Sequence, residues 1–207
     1  MPRPKHLTLD PSVDLDGICA SQSPTAAGGM SIDGALASGG AVDFTSPHLI
    51  EIVSAGDDST AVFTVTGTDY RGEALSETIA GGNATTVTGG EYFDTVTSVS
   101  IDKASAAGVT VGVNGKAATP WFPINYRCRG DFSIGIAAVV TGTINYTAQH
   151  TFDDLTGDPN DFTAFNHATM AAKTANFDSN YTEPATAIRC ISNSGSGSLV
   201  FHIVQAG

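Results

Sequence analysis

Short runs of alternating β-branched and aromatic residues, cut apart by glycine-bearing turns, govern what this chain can become. In Val62-Phe63-Thr64-Val65-Thr66-Gly67-Thr68, Phe63 and Val65 fall on one face, and Val62, Thr64 and Thr66 on the other. Asp69-Tyr70-Arg71-Gly72 then reads as a turn with glycine at its last position, and 73–79 return as a second strand. Residues 61–80 are therefore expected to form a hairpin. The same pattern predicts strands at 49–54, 92–101, 109–113, 132–140, 143–152, 187–192 and 198–205. Two more tight hairpins are expected, turning near Thr141-Gly142 and across residues 192–197. Helical spacing is scarce, and only 166–174 carries any of it.

Strands at this spacing indicate antiparallel β-sandwiches, jelly-roll or immunoglobulin-like, rather than a parallel α/β sheet. The stretch Asn114-Gly115-Lys116-Ala117-Ala118-Thr119-Pro120 breaks the pattern and marks a boundary. The expected organisation is all-β: an extended N-terminal arm over 1–16, a first sandwich over 17–116 and a second over 117–207. Pro2, Pro4 and Pro11 are the reason for expecting an arm, because proline removes donors from any ladder.

Charge narrows the function classes. The 207 residues are 41% hydrophobic, enough for a real core, but only 14% are charged, against roughly 25% in an average soluble domain. A surface short of Lys and Glu suits a protein that packs against neighbours. Net charge is −12 with nine basic residues, which argues against nucleic acid and against anionic membranes. Arg127 and Arg129 form a close basic pair and read as a local surface feature. No apolar run reaches the roughly 20 residues of a membrane helix, and no apolar segment follows the charged start to make a secretory signal. Cys19, Cys128 and Cys190 are distant and odd in number, so they are expected to be reduced thiols of a protein made in the cytoplasm.

Candidate chemistry is sparse. Asp153, Asp154, Asp158 and Asp161 offer oxygens for Ca²⁺, but their spacing is not that of an EF-hand, and a solvated turn is the expected reading. His150 and His167 flank this loop without the short ligand spacings of a zinc site. Cys128, His150 and Asp153 can be drawn as a hydrolase triad, yet no local nucleophile motif accompanies them. We therefore expect no enzymatic activity, no catalytic residues, no metal and no cofactor.

The aromatics point to binding instead. Trp121 and Phe122, held between Pro120 and Pro123, are read as filling a seam between the two domains or inserting into a neighbour. Phe162, Phe165, Phe177 and Tyr181 lie in 153–184, a long stretch read as loop, which makes it the first choice for a subunit contact. Tyr181 beside Asn180 and Asp178 is the one candidate for carbohydrate or receptor binding.

Several ordered segments resemble virion structural proteins of tailed bacteriophages. They are Ser54-Ala55-Gly56-Asp57-Asp58-Ser59, the strand from Phe63 to Asp69, Gly72 to Thr78, and Phe93-Asp94-Thr95-Val96-Thr97-Ser98. The likeness continues through Pro120-Trp121-Phe122-Pro123, Val140 to Thr147, His150 to Asp154, and the terminal Val204-Gln205-Ala206-Gly207, so it spans about 18–207. The resemblance implies a particle component. The expected role is a capsid decoration (cement) protein, located in the virion. Its expected partners are its own copies, with a trimer favoured, and the major capsid protein. A head-to-tail adaptor, nozzle, tail or fibre component is the alternative, and a carbohydrate- or receptor-binding module a further one.

Overall fold

The computed structural model describes residues 4–127 and 133–206. It is all-β, with fifteen strands and no helix among the described residues. The chain divides into two compact units, 12–114 and the combination of 1–11 with 115–207.

The continuous unit, 12–114, holds one seven-stranded antiparallel sheet. Its strands are β2 (Val13–Gln22), β3 (Gly28–Met30), β4 (Val42–Ser54), β5 (Val62–Thr68), β6 (Ala74–Ala80), β7 (Thr86–Ile101) and β8 (Val109–Asn114). The order is β2-β8-β4-β7-β5-β6, with β3 on the C-terminal half of β7. Breaks in register along β4 and β7 bend the sheet, so that Ile18, Phe63, Val65, Phe93 and Val111 share one core. The expected hairpin is present: Phe63 and Val65 are buried, Val62 is exposed, and β5 pairs with β6 along its length. Gly72 takes φ +80° at the end of the turn, and its N–H donates to the Asp69 carbonyl at 2.9 Å. Gly67 sits at a register shift against β7, where a Cβ would lie 1.8 Å from the Thr95 carbonyl oxygen, so only glycine fits.

The other unit is a sandwich of two four-stranded sheets. One runs β1 (Lys5–Leu9), β15 (Ser198–Ala206), β10 (Ser133–Thr141), β13 (Phe177–Tyr181). The second runs β12 (Phe165–Asn166), β11 (Ile144–Thr151), β14 (Ala187–Gly195), β9 (Phe122–Pro123). Counted only within this unit, the first sheet is strands one, eight, three, six. The second, read from β9, is two, seven, four, five. All neighbours are antiparallel. That double Greek key is a jelly roll. Ile134, Ile136, Phe201 and Ile203 from one sheet meet Tyr146, Ala148, Ile188 and Cys190 from the other in its core.

Three expectations are corrected here. Residues 1–16 are not one arm: Lys5–Leu9 is the first strand of the jelly roll, paired to β15 with Leu7 and Leu9 buried, and Val13 begins the other unit. The prolines flank this strand, at 4 and 11, instead of interrupting it. The expected hairpins at 139–144 and 192–197 are crossings between sheets: β10 and β11 belong to opposite sheets, and so do β14 and β15. The two corners support each other, with the Gly197 N–H donating to the Thr143 carbonyl at 2.8 Å. Finally, 153–184 is not wholly loop. It contains β12 and β13, and 166–174 is not helical.

The jelly roll is thus interrupted between its first and second strands by the whole of 12–114. Val13 pairs with Asn114, so the inserted unit begins and ends on adjacent antiparallel residues. A domain with neighbouring ends can be inserted in a loop without stretching its host.

Candidate functional site

Within the jelly-roll unit, the end of β11, the short β12 and the end of β13 bring a group of rings together. His150 pairs with Phe165 across β11 and β12, with ring centroids 5.7 Å apart and nearly parallel. Phe152, just past β11, meets the edge of His150 at 5.2 Å and Phe165 at 5.6 Å. From the opposite sheet, Tyr181 stands edge-on to His150 at 5.2 Å and to His167 at 4.6 Å. The segment after β13 closes the other side. His150, Phe152, His167 and Tyr181 line a cavity of about 180 Å³, with Asn180, Thr182, Glu183 and Pro184 at its wall.

The polar atoms in this cluster divide sharply. His167 is fixed: one ring nitrogen, Nε2, faces the Asn180 carbonyl at 3.1 Å and must donate. Its Nδ1 accepts the Thr169 and Met170 N–H groups at 3.3 and 3.2 Å. By contrast, His150 Nδ1 and the Tyr181 hydroxyl are buried with no protein partner. Burial, then the neighbouring His167, holds the His150 imidazole below its usual range, with Glu183 pulling the other way. Burial pushes the Tyr181 hydroxyl upward, so it stays a neutral donor and acceptor. The cavity is thus walled mainly by ring and apolar surface, while its two unpaired polar atoms are themselves buried.

The other sequence candidates fall elsewhere. Trp121 is buried within the jelly-roll unit: its indole N–H donates to the Pro159 carbonyl at 3.2 Å, Arg189 lies over its ring at 4.3 Å, and Phe162 packs at 6.2 Å. These contacts, all within one unit, account for both Trp121 and Phe162. Phe122 and Phe177 are half-buried against the same core, and Lys173 covers the Phe177 ring at 4.2 Å. Of the six aromatics expected at a subunit contact, Phe165 alone is largely exposed, at 46%. Phe152, at 55%, was not among the expected contacts, although its alternation with His150 placed both at one strand end.

The aspartates of the 153–161 loop serve local turns: Asp154 accepts the Thr156 N–H, Asp158 the Asn160 N–H, and Asp153 the Thr163 N–H. No group of three or more metal-ligating side chains is found among the described residues. Cys19 and Cys190 are buried free thiols; burial pushes Cys19 up to about 12 and Cys190 higher still, which keeps both protonated and unreactive. Cys128, Arg129 and Phe132 lie outside the described residues, so the Cys128–His150–Asp153 trio has no described geometry.

In the inserted unit, the buried His48 and Glu51 are structural. The His48 ring spans the Ser46 carbonyl at 2.5 Å and the Ser12 N–H at 2.8 Å, and Glu51 accepts from Thr88 at 2.8 Å and from Asn114.

No family model matches the chain, and no curated protein is similar to it. Among solved structures, the crystal structure of allantoicase from Saccharomyces cerevisiae is similar at 8% identity, covering 94% of this chain and 89% of that one, with a TM-score of 0.24. A likeness of that size carries no functional argument.

Proposed function

We propose that this protein is a structural component of a bacteriophage particle, a decoration (cement) protein that binds the head shell in clustered copies, with a trimer favoured. One observation carries the reading beyond the sequence resemblance: the outer face of the jelly-roll sheet β1-β15-β10-β13. By strand alternation this face presents His6 and Thr8, then Val200, His202 and Val204, then Gly135, Ala137 and Val139, then Asp178 and Asn180. Val139 and Val204 are 46% and 47% exposed, and His6 stacks on His202 at 4.3 Å. Asp178 is the sole Asp, Glu, Lys or Arg among those ten. The solvent side of an antiparallel sheet normally carries polar and charged residues. A face that is half valine, glycine and alanine and carries a single carboxylate fits a protein surface laid against it, where charge is costly and small side chains allow close approach. Repetition over many copies makes such contacts strong without any catalysis.

The test is the copy number in purified particles, measured by quantitative mass spectrometry. Decoration of the shell requires hundreds of copies. A dozen or fewer would move the protein to the head-to-tail or tail apparatus, and absence from the particle would overturn the proposal. As a control on the surface, Val139→Lys with Val204→Glu should leave the melting temperature almost unchanged while lowering incorporation at least tenfold, equivalent to about 1.4 kcal/mol.

A further inference from the structure

Five histidines are spread over the chain, and the fold treats two of them differently from the rest. His48 and His167 have both ring nitrogens engaged by backbone groups, and His150 stands among aromatic rings. His6 and His202 instead lie on the outer face of the jelly-roll sheet, directly opposite each other on the antiparallel strands β1 and β15. Their neighbours Leu7, Phe201 and Ile203 are buried in the core, so alternation sends both imidazoles outward. His6 is exposed and His202 half-buried. Each ring faces the other, and neither has a hydrogen-bond partner among the described residues.

Two imidazoles so placed are arranged as a chelate. Directly opposed residues share a face, with Cβ atoms about 4.5–5.5 Å apart. With metal–nitrogen bonds of about 2.0–2.1 Å, two rings bound side by side to one ion have centroids roughly 4.5–5 Å apart. The His6 and His202 centroids are 4.3 Å apart and their planes are tilted by 57°, a small side-chain rotation from that arrangement. The donors select the ion: imidazole nitrogen suits zinc, nickel and copper, whereas calcium and magnesium require oxygen ligands. Asp178, the carboxylate of this face, lies in the same cross-strand row but beyond Ala137, two strands from His202. The protein ligands are therefore the two histidines alone.

We propose that His6 and His202 bind one late first-row divalent ion (Zn²⁺, Ni²⁺ or Cu²⁺) as a cross-strand chelate. The ion's remaining positions face away from the sheet and take water or a donor from an opposing surface. Such an ion ties β1 to β15. The inserted unit separates β1 from the rest of the jelly roll, so a clip here acts on the longest chain closure in that unit. An ion that binds only the folded pair stabilises the fold. The inference goes beyond the particle role and stands without it.

The probes are Zn²⁺ and Ni²⁺ alone, added to the metal-free full chain. Calorimetry should show one ion per chain, with a Kd at or below about 100 μM. At ten times the Kd, Zn²⁺ should raise the melting temperature read at Trp121 by about 3 °C or more. His6→Gln and His202→Gln should each weaken binding at least tenfold and abolish the rise. Both rings lie outside the core, so neither variant should lower the metal-free melting temperature by more than about 2 °C. Asp178→Asn should bind as the wild type does. A measurement on the wild type alone guards against misfolded variants: substoichiometric Cu²⁺ should broaden the ring proton resonances of His6 and His202 before those of the other three histidines. No binding, full binding by either histidine variant, or loss of binding in Asp178→Asn would overturn the proposal. So would broadening that begins at another histidine, or equal binding of Mg²⁺.

Discussion

The inserted unit and the jelly roll solve the same problem, burying one face of a sheet, in different ways. The inserted unit uses long strands, 13 residues in β4 and 16 in β7, and fills its core with β-branched Val and Ile around Phe63 and Phe93. The jelly roll uses shorter strands, two of them only two residues long, and places aromatic rings where the strands end: Trp121 with Phe162, and Tyr181 with His150 and His167. Long strands satisfy most of their own backbone and leave little at their ends. Short strands leave gaps at the rim of the sandwich, and rings and loops must fill them. The unfilled remainder is the cavity. Sites arise where sheet regularity runs out.

If that contrast is right, the largest effect should follow from removing a residue that the sequence assigns to an arm but the fold assigns to the jelly roll. Leu9 is fully buried between the sheets. Leu9→Ala should cost about 2–5 kcal/mol, the range for a buried Leu truncated to Ala. The chain has one tryptophan, Trp121, so its fluorescence reports on the jelly roll alone. Urea unfolding followed at Trp121 should shift to lower urea. An unchanged midpoint would return residues 1–11 to the role of a free arm.

A second pair of variants tests the rim. Phe162 is buried against Trp121, whereas Phe165 is half exposed. Phe162→Ala should destabilise the jelly roll by about 3 kcal/mol or more, and Phe165→Ala by less than about 0.5 kcal/mol. Equal effects would mean that the rim is not divided into core cap and open wall.

The smallest effect concerns pH. In the folded state His150 titrates below its unfolded value of about 6.5, chiefly because of burial. Between the two values the unfolded chain carries a proton that the folded chain lacks. The jelly roll should therefore lose stability as pH falls through the window below about 6.5, and recover it as pH rises. The ring is partly exposed, so the slope should be shallow. His150→Gln should flatten it; a wild-type slope of the opposite sign would contradict the burial argument.

The same contrast explains what was legible in the sequence. The alternation around Phe63 and Val65 and the turn at Asp69–Gly72 were readable because local chemistry and fold agree there. The all-β, antiparallel class followed from many such segments. Strand β13 was not readable: Asp178, Ser179 and Asn180 are poor strand formers, and it is held as an edge by β10. Strand β1 does alternate, with Leu7 and Leu9 inward, but the flanking prolines masked it, and its partner lies nearly 200 residues away (Leu9 against Leu199). Consecutive strands that diverge into opposite sheets leave no local mark either, so β10–β11 and β14–β15 read as hairpins. For the site, Tyr181 beside Asn180 was visible as an aromatic next to a polar residue. Its convergence with His150, Phe152 and His167 depends on three strands from two sheets and has no signature in sequence spacing.

The central claim is that 1–11 and 115–207 form one complete jelly roll into which a second domain is inserted. The direct measurement is excision. Residues 12–114 are removed and Pro11 is joined to Gly115 through a short Gly-Ser linker, which the adjacent pairing of Val13 and Asn114 makes sterically feasible. The account predicts a soluble chain with a β-type far-UV spectrum and a single cooperative unfolding transition at Trp121. An unfolded chain, or one that melts without cooperativity, would contradict it.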